Sequence, residues 1–152
     1  MLLLRKMTIS TGCVLRFTDY KLERACFEGN PNYEKREGMI PLDLSLNREM
    51  KSISENSFSL SISVDVFEKP RENNYPFSVG VTVSGFFQVD DSVGLDLKNK
   101  LIETNAAAIL FPYVRSIISQ ITLMANTDST LILPPVNFVE MLRSEETKKT
   151  SE

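Results

Sequence analysis

SFSLSISVDVF, residues 57–67, decides the fold class. Phe58, Leu60, Ile62, Val64 and Val66 alternate with Ser57, Ser59, Ser61, Ser63 and Asp65, the two-residue period of a strand with one buried and one polar face. Beyond the turn-rich EKPRENNYP, the run FSVGVTVSGFFQV repeats the pattern with Phe77, Val79, Val81, Val83, Gly85 and Phe87 on one side. Together the two runs predict an antiparallel hairpin with a long loop. Upstream, IPLDLSLN sets Ile40, Leu42, Leu44 and Leu46 against Pro41, Asp43 and Ser45, a third strand with Pro41 near its start. Residues 13–28, CVLRFTDYKLERACFE, alternate less cleanly but are rich in Val, Phe and Tyr, and predict a long first strand, a candidate for the sheet edge. Between these two lies the loop GNPNYEKREGM, which carries Tyr33 and Met39.

After Gly94 the period lengthens from two to about four. LDLKNKLIET predicts a short helical lead-in, Asn105 a cap or break, and residues 106–125 the main helix. Two apolar seams run along it, one through Leu110, Val114, Ile117, Ile121 and Met124, the other through Ala107, Phe111, Val114, Ile118, Ile121 and Ala125. They cover an arc of roughly 140°, against the ~100° stripe that a helix needs to cover a sheet. Two accounts of the excess stay open: deep burial in its own domain, or one face on the sheet and another on a partner chain. Pro112 falls inside the segment, at a cost of ~3 kcal/mol or more unless packing supports it. Further on, Pro134 and Pro135 end any ladder, and Asn137 can cap a short helix carrying Phe138, Met141 and Leu142. SEETKKTSE has no apolar residue, so disorder is expected there.

With 152 residues the chain suits one domain, 1–152, with an ordered core over about 13–142 and flexible ends at 1–7 and 143–152. A net charge of -3 leaves no nucleic-acid footprint. The chain contains no histidine, which removes Ser–His and Cys–His nucleophiles, histidine-rich metal sites and the commonest general base. Its glycines are scattered singly, so no phosphate loop forms. Asp90 and Asp91 read as a turn after a strand. No catalytic residue, metal or cofactor is expected, and the protein does not read as an enzyme. Cys13 and Cys26 are too few for a disulfide scaffold and fit a reduced, cytoplasmic setting, with Cys26 read as a small buried hydrophobe. MLLLRKM lacks the apolar core of a secretory signal, and no run approaches the roughly 20 apolar residues of a membrane span.

The order of these elements, the segment ILFPYVRSIIS, the later PPVNFVEML and the earlier CFEGNPN with PLDL resemble the SecB family of protein-export chaperones over roughly residues 14–142. The resemblance implies an α+β fold: a four-stranded antiparallel sheet, a long helix packed on one face and a short C-terminal helix acting as a flap. It implies an ATP-independent holdase that binds unfolded polypeptides for export through the Sec pathway, assembled as a homotetrameric dimer of dimers. On the matching positions, Val114, Ile117, Ile121 and Met124 are candidates for oligomer contacts. Phe27, Tyr33 and Met39 around the crossover loop, with Phe138, Met141 and Leu142 on the flap helix, are candidates for client contact. Phe27 and Phe138 have core burial as an equal alternative. Export members of the family present an acidic sheet surface and a C-terminal tail to the SecA motor. Here the central strand's polar face is mostly serine and the tail is mixed in charge. A dedicated chaperone for one client, such as the antitoxin of a toxin–antitoxin pair, or a non-chaperone interaction scaffold, therefore stands beside the export reading.

Overall fold

The computed structural model describes residues 5–8, 14–90, 95–128, 130–138 and 140. The elements run β1 (Arg5–Thr8), β2 (Val14–Gly29), β3 (Leu44–Ser54), β4 (Ser57–Val66), α1 (Pro70–Asn73), β5 (Phe77–Val89) and α2 (Leu95–Met124). The strands form one antiparallel sheet in the order β1-β2-β5-β4-β3. Its four long strands are those expected from the sequence, and α2 lies on one face against β5, β4 and β2. A short strand that the sequence reading did not contain, β1, pairs with Val14–Phe17 and covers only the start of β2's outer edge.

The core is the alternation of β4 and β5 realised. Leu60, Ile62, Val64 and Val66 face α2 with Val79, Val81, Val83 and Phe87, and all are buried. The irregular alternation of β2 has a structural cause. Its apolar residues Leu15, Phe17, Tyr20, Leu22, Ala25 and Phe27 are spaced by two or three, and the ladder to β5 shifts register between Phe17 and Asp19 and between Leu22 and Arg24. Each bulge inserts one residue and returns the next apolar side chain to the helix face.

Two boundaries differ from the sequence reading. The third strand begins at Leu44, after Ile40 and Leu42, and extends through REMKSIS to Ser54, where the Glu55–Asn56 turn joins it to β4. Arg48 is the reason a charged stretch can pair here: it points toward α2 and binds Glu103 at 2.6 Å. The helix is also one unit of 30 residues running through Asn105, which is neither cap nor break. Ala106 and Ala107, buried against the sheet, carry the helix past that residue of modest propensity.

Pro112 lies on the outward side of α2, as does Ala108, whose carbonyl loses its helical donor. Water can serve that carbonyl while Leu110, Phe111 and Val114 hold the inner side on the core. The segment Ile102–Met124 is long and apolar enough, by length and composition, to cross a membrane, although Glu103, Arg115 and several polar residues interrupt it, so that it holds no unbroken apolar run of the kind the sequence reading looked for. Here it serves as the core helix, packed on the sheet along one side only.

Candidate functional site

The crossover from β2 to β3 is built on Asn30, from the motif GNPN. Its side-chain amide donates to the carbonyls of Pro70 at 3.0 Å and Tyr75 at 2.9 Å, and its Oδ1 accepts from the Asn32 N–H. Farther along, Glu34 and the Asn74 side chain exchange two hydrogen bonds of 3.0 Å, and Arg36 donates to the Asn74 carbonyl. Gly38, at φ 90°, turns the chain where a side chain would be strained. Met39 follows and stands 96% exposed.

Between this loop and the end of α2 lies a groove of about 1010 Å³. Its floor is aromatic. Phe27 stacks on Phe77 with ring centroids 5.5 Å apart, and Phe77 meets the edge of Phe67 at 5.6 Å. Tyr33, Met39 and Ile40 form one wall, and Ala125–Asp128 with Thr130–Ile132 form the other. Ile132 is 73% exposed at the rim.

Phe67 is the floor residue that sequence reasoning missed. Alternation along β4 puts it on the serine side, but its backbone is left-handed, φ 56°, and turns the ring inward to 7% exposure. Such a conformation costs an aromatic residue ~1–3 kcal/mol and is kept where the surroundings enforce it. The Phe67 N–H bonds the Asp43 carbonyl at 3.0 Å, and Tyr75 packs on the ring at 4.8 Å. Tyr75 donates to Asp43 Oδ2, a bond that holds its phenol above the ordinary tyrosine value.

The second wall is an extended strap after α2, fastened by three helix side chains. Arg115 Nε donates to the Leu133 carbonyl at 3.0 Å, and Ser119 Oγ to the Leu131 carbonyl at 2.8 Å. Thr122, fully buried, accepts the Leu131 N–H at 3.0 Å through Oγ1. The spacing 115, 119, 122 places all three on one helical face. This was visible in the sequence only as the polar remainder of an apolar helix.

Of the six residues proposed for client contact, Phe27, Tyr33 and Met39 share this groove. Phe138 does not: it is 5% exposed and packs edge-on against Phe111 at 5.5 Å, the core alternative of the sequence reading. Asn137 Oδ1 accepts the Glu140 N–H at 3.2 Å, as expected of a cap. Met141 and Leu142 lie outside the described residues. Among the four helix positions, Val114 is fully buried in the chain's own core, so it has no surface for a partner. Ile117 and Ile121 are half-buried at the core's margin, and Met124 is 77% exposed beside exposed Leu123.

The sheet face away from α2 is a field of hydroxyls. Ser61 bonds Ser84 at 2.7 Å, and Ser63 bonds Thr82 at 2.8 Å. Arg24 reaches across β5 to Asp65 at 2.8 Å, over Gly80, where a β-carbon would strike both side chains. The bond to Asp65 chiefly holds the guanidinium above its ordinary value. Cys26, expected to be buried, is exposed on this face and accepts from Arg24.

Residues 28–149 match the family model described as preprotein translocase subunit SecB. The chain is 35% identical over 139 residues to an uncharacterized protein of Methanocaldococcus jannaschii, covering 90% of this chain and 88% of that one. It is 28% identical over 105 residues to the protein-export protein SecB of Aromatoleum aromaticum, covering 69% of this chain and 65% of that protein. With SecB of Stenotrophomonas maltophilia the identity is 32% over 99 residues, covering 64% and 55%. The chain thus spans less than two thirds of these two SecB proteins. Among solved structures, a SecB-like chaperone of Mycobacterium tuberculosis, in complex with a ChAD peptide from the HigA1 antitoxin, is similar at a TM-score of 0.58 and 17% identity. That likeness covers 80% of this chain and 87% of the other and concerns the fold.

Proposed function

The chain belongs to the SecB family, and on that premise we propose that it is an ATP-independent cytoplasmic holdase that binds non-native polypeptides in the groove between the crossover loop and the strap. The observation that carries this reading is an aromatic floor under a rim of exposed Met39 and Ile132. Aromatic and methionine surfaces bind many sequences because their contacts are non-directional and adaptable. No chemical step is needed. Diluting a chemically unfolded client into buffer without ATP, and following light scattering, tests the proposal. Aggregation should be suppressed at about one assembly per client, and undiminished scattering would overturn it.

The proposed assembly is a homo-oligomer, a dimer of dimers, joined through the outward side of α2. Support comes from the apolar surface at Ile117, Ile121, Leu123 and Met124, with Val114 withdrawn to the core. Native mass should be about four times the 17.2 kDa of one chain. Replacing Ile117 and Ile121 by Lys should lower it, and an unchanged mass would show that these side chains serve only their own core.

The hydroxyl face favours a second reading within the same family. Ser57, Ser59, Ser61 and Ser63, with Arg24 over Gly80, do not form the acidic surface through which export members resemble one another in engaging SecA. A chaperone dedicated to one client fits this face better than a general export factor. Polypeptides isolated with the protein from cells decide between them. Mixed secretory precursors, with binding to SecA, would support export, and a single short partner would support dedication.

A further inference from the structure

Met39 is the one sulfur among the residues described around the groove. The crossover loop that carries it is fastened on both sides. Before it, Arg36 donates to the Asn74 carbonyl at 2.8 Å. After it, the Asp43 carbonyl accepts the Phe67 N–H at 3.0 Å, and Asp43 Oδ2 accepts the Tyr75 hydroxyl at 2.9 Å. Between these fastenings, residues 37–42 make no hydrogen bond among the described residues. Met39, next to Gly38 at φ 90°, stands 96% exposed, against 77% for Met124 and 37% for Met50, the other methionines whose side chains are described. The thioether is therefore open to any oxidant in solution, while the fold draws almost nothing from it.

Resting on the reading of the groove as the client site, we propose that Met39 is a modification site: peroxide converts it to the sulfoxide, which switches the groove to a weak-binding state without unfolding the chain. The sulfur lone pair attacks one oxygen of hydrogen peroxide and the O–O bond breaks. The displaced hydroxide takes the proton of the transferred oxygen and leaves as water. Sulfur gives up two electrons, which reduce the peroxide. The product is a polar side chain where a client would bury an apolar one. The floor of Phe27, Phe67 and Phe77 offers its new oxygen no side-chain hydrogen-bond donor, so covering it with a client is unfavourable. Because Met39 stands almost wholly outside the core, the change acts on binding and leaves stability in place. The same exposure keeps the sulfoxide within reach of the reductases that reverse it. Client retention then falls when peroxide rises and recovers when it is cleared.

The test uses the whole protein, hydrogen peroxide, and a labelled synthetic peptide of Phe, Leu, Thr and Lys that contains no sulfur. Peptide mass mapping should find the sulfoxide at Met39 before Met50. Fluorescence anisotropy after removal of the peroxide should show affinity weakened about three- to tenfold, with the thermal melt unchanged. A thiol reductant, which restores an oxidised Cys26 but not a sulfoxide, should leave the loss in place, and methionine sulfoxide reductases of both epimer specificities should reverse it. Met39→Leu, compared with its own untreated affinity, should be insensitive to peroxide. Full oxidation of Met39 with unchanged affinity would overturn the switch and leave the groove intact. An equal loss in Met39→Leu would overturn it by placing the sensitive residue elsewhere. Failure of the peptide to bind the untreated protein would overturn the groove reading, and this proposal with it.

Discussion

Leu110→Ala is expected to lower the free energy of unfolding by about 2–5 kcal/mol, the upper range for a buried aliphatic truncation. Leu110 is fully buried on the side of α2 that meets β5. Its Cδ1 would lie only 2.9 Å from a β-carbon on Gly85, so the glycine is a notch in β5 that receives the leucine. Backbone forms the far wall of that notch and cannot collapse into the space left by alanine, which puts the cost toward the larger values. The converse change, Gly85→Ala, should cost about 1–3 kcal/mol by overpacking against Leu110 and Phe87. Combining the two should cost less than their sum, because the new methyl group occupies part of the cavity. Urea denaturation of all four proteins at one protein concentration measures this coupling. Strict additivity would show that Leu110 and Gly85 do not meet.

The lesson about legibility follows from such contacts. β4 and β5 were readable because their pattern is local: the inward residues are apolar or glycine and the outward ones mostly small or polar, with Phe86 the exception, over ten or more positions. β2 was readable as a strand but not in register. Its two bulges answer the ladder of β5, and nothing within VLRFTDYKLERACFEG marks Thr18 or Glu23 as the inserted residues. Asn105 misled for a related reason: its capping tendency is a local preference, overridden once Ala106, Ala107 and Leu110 are anchored on the sheet. Phe67 could not be placed by alternation because a single left-handed residue reverses the side to which its ring points.

The groove shows the same division. Tyr33 and Met39 could be singled out as apolar residues in a polar loop, and Phe27 by its place beside that loop. The strap could not, since TDSTLIL carries no periodic signal, and its position depends on side chains of α2 nine to eighteen residues earlier. Seams on α2 predicted an apolar arc but not its division between core and surface. Val114 belongs to both seams and is fully buried, whereas Met124, at the end of one, is almost entirely exposed.

Met39→Ser is expected to weaken client binding about tenfold per groove while leaving stability within about 0.5 kcal/mol of the unmodified protein. The two halves of that expectation have one cause. Met39 is 96% exposed, so the folded chain gains almost nothing from it, and its whole apolar surface is available to an occupant. Burying a methionine side chain is worth ~1.5–3 kcal/mol, and the lower figure corresponds to the tenfold change. In an oligomer with several grooves the loss against a long client should exceed that against a short peptide, because each weakened site also lowers the effective concentration at the next. Phe138→Ala should behave in the opposite sense. Its ring is buried against Phe111, so removal should cost about 3–5 kcal/mol of stability, while peptide affinity of the protein that remains folded should hardly change. Isothermal titration with one short peptide, paired with thermal melts of both variants, separates the roles. Unchanged affinity in Met39→Ser together with lost affinity in folded Phe138→Ala would move the client site from the crossover loop to the C-terminal segment.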